Sequence, residues 1–111
     1  MRAELYIFDL DGTLVDSYSE ICGAFCAALE SVGSPAPAPK TLTQSMGTSM
    51  SSTVKRLFPH WSNSQTALFR QAFGHAYSER FLRSKPYIGA SEVLGRCSER
   101  CVIVTNKDER W

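Results

Sequence analysis

A chain of 111 residues, 43% apolar and 21% charged, has the composition of one globular domain and not of a disordered segment. Its net charge of +1 leaves no electrostatic footprint for nucleic acid or for an anionic membrane surface. No apolar run reaches the ~18 residues that a spanning helix needs, and Glu4 and Asp9 interrupt the stretch a secretory leader would keep apolar, so the expected location is cytoplasmic.

Leu5-Tyr6-Ile7-Phe8 is a short unbroken run of β-prone residues. Such a run suits a strand buried on both faces of a parallel sheet. Asp9-Leu10-Asp11-Gly12-Thr13 follows at once. Aspartate is a poor strand residue, and two like charges held close repel more strongly as water is withdrawn. Strand alternation sends Asp9 and Asp11 to the same side, and Gly12 permits a sharp exit turn. The simplest counterweight to the paired acids is a divalent cation. Mg²⁺ takes oxygen ligands and keeps waters and substrate phosphate in its shell.

Asp16 and Ser17 are expected to open a helix, with Ser17 as its N-cap. Across 16–32, Ile21, Phe25, Ala28, Leu29 and Val32 recur at helical spacing. Ser34-Pro35-Ala36-Pro37-Ala38-Pro39 ends that helix as a stiff loop. Further helices are predicted over 41–47, 49–58 and 64–82. The last carries a wide apolar stripe of Leu68, Phe69, Ala72, Phe73, Ala76, Tyr77 and Phe81. Pro59 and Pro86 mark boundaries, and residues 84–89 read as a return hinge. A short helix over 90–97 feeds a second strand, Cys101-Val102-Ile103-Val104. It runs out into Thr105-Asn106-Lys107. A hydroxyl, an amide and backbone N–H groups there suit a phosphate oxygen.

About ninety residues separate the two strands, far more than an ordinary crossover. The pattern therefore predicts an α/β architecture in which two parallel strands are parted by a helical insertion. Residues 1–15 and 86–111 are assigned to the core and 16–85 to the insertion, which sits beside the aspartates in the place of a lid. Ligands of open α/β sheets bind beyond the carboxyl ends of the strands, and both polar clusters lie there. The four cysteines fall as Cys22/Cys26 and Cys97/Cys101. Zinc motifs usually space their cysteines more closely, and no histidine is near, so all four read as reduced, small apolar residues. His60, Trp61 and His75 read as packing or surface residues.

Asp9-Leu10-Asp11-Gly12-Thr13-Leu14-Val15-Asp16-Ser17 resembles the first motif of the haloacid dehalogenase (HAD) superfamily, in its phosphatase branch. Val104-Thr105-Asn106-Lys107 resembles that superfamily's second motif, in the form found in phosphoglycolate-phosphatase-like members. Pro86-Tyr87-Ile88-Gly89 is similar to their hinge back into the core. The resemblance implies a HAD-like Rossmann-type core with an inserted helical cap, and Mg²⁺-dependent hydrolysis of a small phosphomonoester. It implies Asp9 as nucleophile, forming an aspartyl-phosphate. Asp11 would protonate the leaving group and then activate water. Mg²⁺ would be held at Asp9 and Asp11, by the side chain of the first and the backbone carbonyl of the second. Thr105, Asn106 and the N–H groups after Asp9, Gly12 among them, would hold the phosphoryl group. A second acid argues against the dehalogenase branch, because carbon–halogen cleavage needs no protonated leaving group.

The family pattern also includes a lysine that clamps the phosphoryl group and an acidic pair that completes the metal shell, both well downstream of Thr-Asn-Lys. Lys107 belongs to the second motif and is not assigned as that clamp. Asp108 and Glu109 arrive too early to be the pair. A doubly wound core has about four to six strands, and two are legible, so the parallel sheet is incomplete. The expectation is a partial chain of a longer phosphatase, or a minimal protein completed by self-association. Two alternatives stay open. One is a non-catalytic module whose acids only bind metal. The other is a phosphomutase or phosphonate hydrolase of the same superfamily; Lys40 and Lys55 are the candidates for the latter's Schiff-base lysine, although both read as solvated.

Overall fold

The computed structural model describes residues 4–107. In chain order the elements are β1 (Tyr6–Phe8), β2 (Val15–Asp16), α1 (Tyr18–Ser31), α2 (Pro39–Ser45), α3 (Met50–Leu57), α4 (Asn63–Ser78), β3 (Lys85–Pro86), α5 (Ala90–Cys97) and β4 (Cys101–Ile103). Short 3-10 turns at Phe81–Arg83 and Ser98–Arg100 precede β3 and β4.

The two apolar runs meet as expected. β1 and β4 pair in parallel, with Tyr6 opposite Cys101, Ile7 opposite Val102 and Phe8 opposite Ile103. Both strands therefore end at the same edge, and the polar residues that follow each are brought together. The Val104 N–H donates to the Phe8 carbonyl at 2.8 Å, which carries the pairing one step further toward those residues. The expected burial of both sheet faces is not found. Ile7 is 65% exposed and Ile103 48% exposed. Among the described residues the main helix pair, α1 and α4, packs chiefly on itself.

Between the strands, the helices bury their own core. Phe25, Ala28 and Leu29 of α1, Leu42 of α2, Val54 of α3 and Phe69 of α4 form one cluster; Ala24, Ala76 and Tyr77 form a second. Helix boundaries follow local chemistry. α2 starts at Pro39, two residues earlier than expected, because proline at the first helical position loses no hydrogen bond. Ser49 caps α3 by accepting the Ser52 N–H. Ser62 and Gln65 form a reciprocal capping box at the start of α4. α4 ends at Ser78, short of the expected 82. Beyond its end, the Arg80 guanidinium donates to the Ala76 carbonyl at 2.7 Å and satisfies one of the open carbonyls of the last turn.

Residues 15–16 depart from the expected helix start. They form β2 and pair antiparallel with β3, Val15 opposite Pro86 and Asp16 opposite Lys85. The pairing holds Asp16 extended, so α1 begins at Tyr18. Ser17 occupies the N-cap position but makes no side-chain cap. All four cysteines are free thiols. Trp61 stacks on Phe58 at 4.2 Å between ring centroids and packs against the helical core. His60, Lys40 and Lys55 are exposed, and His75 lies 3.8 Å from Glu79 on the outer face of α4. Among the described residues, no helix is long and apolar enough to cross a membrane.

Candidate active site

The site is built on the turn that follows β1. Asp9 Oδ1 accepts the N–H of Leu10 at 2.8 Å. The Leu10 carbonyl then accepts three N–H groups, from Thr13, Leu14 and Val15, at 3.2, 2.9 and 3.1 Å. Gly12 closes the turn by donating its N–H to the Val15 carbonyl at 2.8 Å. Its φ of +78° is left-handed, while a Cβ there would meet nothing within 4 Å. Backbone handedness, not crowding, is what requires glycine. One expectation is corrected here: the Gly12 N–H is committed to Val15 and is not turned to a ligand.

Asp11 is the most heavily contacted acid of the site. Its Oδ1 accepts from Ser17 Oγ at 2.6 Å and from Lys107 Nζ at 2.9 Å, the latter across 96 positions of sequence. Ser17 is fully buried, so the hydroxyl that might have capped α1 is spent on the acid. Lys107 also donates to the hydroxyl of Tyr77 on α4 and stands 4.9 Å from the centroid of that ring. The Lys107 and Asp11 side chains are only 12% and 24% exposed. Burial alone would push the lysine's pKa down. Its hydrogen bonds to Tyr77 and Asp11, and their charges, outweigh that and hold it above its usual value. The Lys107 N–H donates to Thr105 Oγ1 at 3.0 Å, which leaves the threonine hydroxyl proton available to another acceptor.

These residues share a cleft. Asp9, Asp11, Gly12, Thr105, Asn106 and Lys107 line one wall of a hollow of about 650 Å³; Tyr18, Thr43, Ser49, Arg70, Phe73 and Tyr77 are among the helical residues lining the other. That volume is within the range of small-molecule sites. A second hollow of about 600 Å³, between α3 and α4, is lined by the exposed Lys55 but by none of the residues predicted to bind phosphate or metal. Among the described residues no group of three or more His, Cys, Asp or Glu side chains gathers at one point. The cleft offers two carboxylates. Hard oxygen donors of that number fit Mg²⁺, which is usually held by one or two carboxylates with waters and a phosphate. An ammonium already sits on Asp11 Oδ1, which favours the Asp9 carboxylate as the side-chain ligand.

Thus the structure brings all five predicted residues, Asp9, Asp11, Gly12, Thr105 and Asn106, to one cleft. Sequence reasoning missed three contributors. Lys107 was legible only as part of its motif. Ser17 was read as a helix cap because its partner lies six positions back in a turn whose shape the sequence does not spell out. Tyr77 was read as one member of an apolar stripe, and nothing in helical periodicity marks which member meets Lys107. Asp108 and Glu109 lie outside the described residues.

Comparison with known proteins agrees with this architecture. Residues 6–111 match the family described as haloacid dehalogenase-like hydrolase. A phosphoglycolate phosphatase from Thiobacillus denitrificans (strain ATCC 25259 / T1) is 28% identical over 115 residues, covering 95% of this chain and 50% of that protein. A hydrolase from Pseudomonas syringae superposes with a TM-score of 0.87 at 24% identity, over 96% of this chain and 52% of the other. A haloacid dehalogenase-like family protein from Streptococcus pneumoniae does so with a TM-score of 0.77 at 29% identity, over 94% of this chain and 50% of the other. The chain spans about half the length of these relatives. With the motif, the parallel strands and the family match in agreement, the chain belongs to the haloacid dehalogenase-like hydrolases.

Proposed function

We propose that this chain carries the nucleophile-bearing part of a Mg²⁺-dependent phosphatase acting on a small phosphomonoester of the phosphoglycolate kind. The observation that supports it most is the meeting of two distant segments: Lys107 Nζ reaches Asp11 Oδ1 at 2.9 Å, and Asp9, Thr105 and Asn106 line the same cleft. The likeness to a phosphoglycolate phosphatase adds to it.

In this reading an Asp9 carboxylate oxygen attacks phosphorus. The bond from phosphorus to the leaving oxygen breaks as the new bond forms, and Asp11 gives that oxygen its proton. Asp11, now a carboxylate, takes a proton from water. The resulting hydroxide attacks the aspartyl-phosphate, releasing inorganic phosphate and restoring Asp9. Thr105 and Asn106 hold the phosphoryl oxygens in line for both displacements. Both contacts to Asp11 fall on Oδ1, which leaves Oδ2 as the oxygen for proton exchange. Gly12 contributes the shape of the turn. Mg²⁺, held at the Asp9 carboxylate and the Asp11 backbone carbonyl, would neutralise phosphate charge.

Release of nitrophenol from nitrophenyl phosphate, with and without Mg²⁺, tests the reading in the chain and in its Asp9→Asn variant. The expected result is Mg²⁺-dependent release that falls by about a thousandfold or more in the variant. Equal rates in the two proteins overturn the nucleophile assignment.

A further inference from the structure

A bridge through the Lys107 ammonium joins Asp11 to α4. Lys107 lies in the segment that follows β4, one residue past Asn106. Its ammonium is shared between an acid of the β1 turn and a phenol of the helical insertion. Tyr77 is a firm anchor for it. The residue is 2% exposed, belongs to the second buried cluster, and stacks on Phe73 with ring centroids 5.5 Å apart and planes 12° from parallel. Phe73 in turn packs on Phe25 and Phe69 of the main core. The hydroxyl of Tyr77 is therefore fixed by the packing of the whole helical layer, and a lysine side chain, with its many rotamers, is not fixed by its own backbone.

We propose that Tyr77 is a positioning residue for the proton-transferring acid: its hydroxyl and ring hold the Lys107 ammonium against Asp11 Oδ1, and this, with Ser17 on the other side, fixes the orientation of the Asp11 carboxylate. The assignment rests on the reading of Asp11 as the acid. It makes the site depend on the seating of α4 over the strand ends. Without the phenol, Lys107 has one anchor in place of two, and Asp11 keeps only Ser17 as a constrained partner.

Tyr77→Phe removes one oxygen and keeps the stacked ring, so the core is preserved. Trace acetylation with acetic anhydride, read peptide by peptide by mass spectrometry, reports how each lysine is held; Lys40, Lys55 and Lys85 serve as internal standards. In the parent chain Lys107 is expected to react more slowly than these three. In Tyr77→Phe its rate rises about threefold or more against the same standards. Asp11→Asn raises it as well, and the double variant reacts faster than either single one but by less than the product of the two single effects, because each contact holds the ammonium in place for the other. An unchanged Lys107 rate in Tyr77→Phe, or two independent multiplicative effects, overturns the shared bridge. On nitrophenyl phosphate, Tyr77→Phe lowers kcat about fivefold with little change in KM. A changed Lys107 rate with kcat unaltered overturns the positioning role while leaving the contact. Retained hydrolysis in Asp9→Asn would instead strike the catalytic reading, and leaves the acetylation result to be judged by itself.

Discussion

Phe25 of α1 and Phe69 of α4 meet edge to face, with ring centroids 4.8 Å apart and both side chains fully buried. This contact lies at the centre of the larger cluster and joins the two longest helices. Aromatic pairs in this geometry contribute beyond the area they bury. Replacing Phe69 with alanine is expected to destabilise the chain by about 3–5 kcal/mol. Urea unfolding followed by far-UV circular dichroism measures this; a loss under about 1 kcal/mol would show that the helical core is not organised around the pair.

The turn after β1 makes a separate prediction. Gly12 has φ +78° and open space where a Cβ would stand. Gly12→Ala is therefore expected to cost about 1–2 kcal/mol from backbone handedness alone. Relaxation of the turn would also move Asp11, so nitrophenyl phosphate hydrolysis should fall more than stability does. Gly12→Asn, which tolerates the left-handed region better, should recover part of the stability. The same melting curves and rates decide both points.

Ser62 and Gln65 satisfy each other's backbone N–H groups at 3.2 and 2.9 Å at the start of α4. Ser62→Ala removes the hydroxyl acceptor and is expected to destabilise by about 1 kcal/mol. Neither Ser62 nor Gln65 lines the cleft, so hydrolysis should be unaffected at temperatures well below the melting point. Hydrogen exchange of the first turn of α4 should quicken in the variant, and unchanged exchange there would refute the cap's contribution.

Thiol chemistry separates two cysteines one helical turn apart. Burial pushes the Cys22 thiol above its usual range, outweighing a hydrogen bond to Tyr18 that acts the other way; the neighbouring Cys26 adds to the rise. The thiolate is the reactive form. A raised value means less thiolate at any pH below it, so Cys22 should alkylate slowly near pH 8 and faster as pH climbs. Cys26 is exposed and should react first with iodoacetamide. Peptide mass spectrometry over a pH series reads the order, and faster labelling of Cys22 at pH 8 would refute it.

Much of the site was legible because it is local. An apolar run that stops at Asp9 and Asp11, with Gly12 next, marks a strand end and a turn by residue type alone. Thr105 and Asn106 do the same for the second strand. The parallel pairing of β1 with β4 followed from the absence of a hairpin and the length of the intervening chain. The misses are all tertiary. Asp16 went into a strand because Lys85, far along the sequence, pairs with it. Ser17 faced a choice between capping α1 and binding Asp11, and only the folded turn decides it. Burial of Ile7 and Ile103 was inferred from hydrophobicity, but hydrophobicity reports what a residue favours, and what covers it depends on neighbours. Lys107 could be counted but not aimed, since a flexible side chain takes its direction from Tyr77.

The two rungs that join Val15 to Pro86 and Asp16 to Lys85 have a lasting consequence. Everything from residue 17 to residue 84 departs and comes home through neighbouring doorways. The span between those doorways stays the same whatever the length of the excursion. Asp9 and Thr105 take their places from the pairing of β1 with β4, outside that excursion. The floor of this cleft is thus framed apart from its roof, save where Tyr77 reaches down to Lys107.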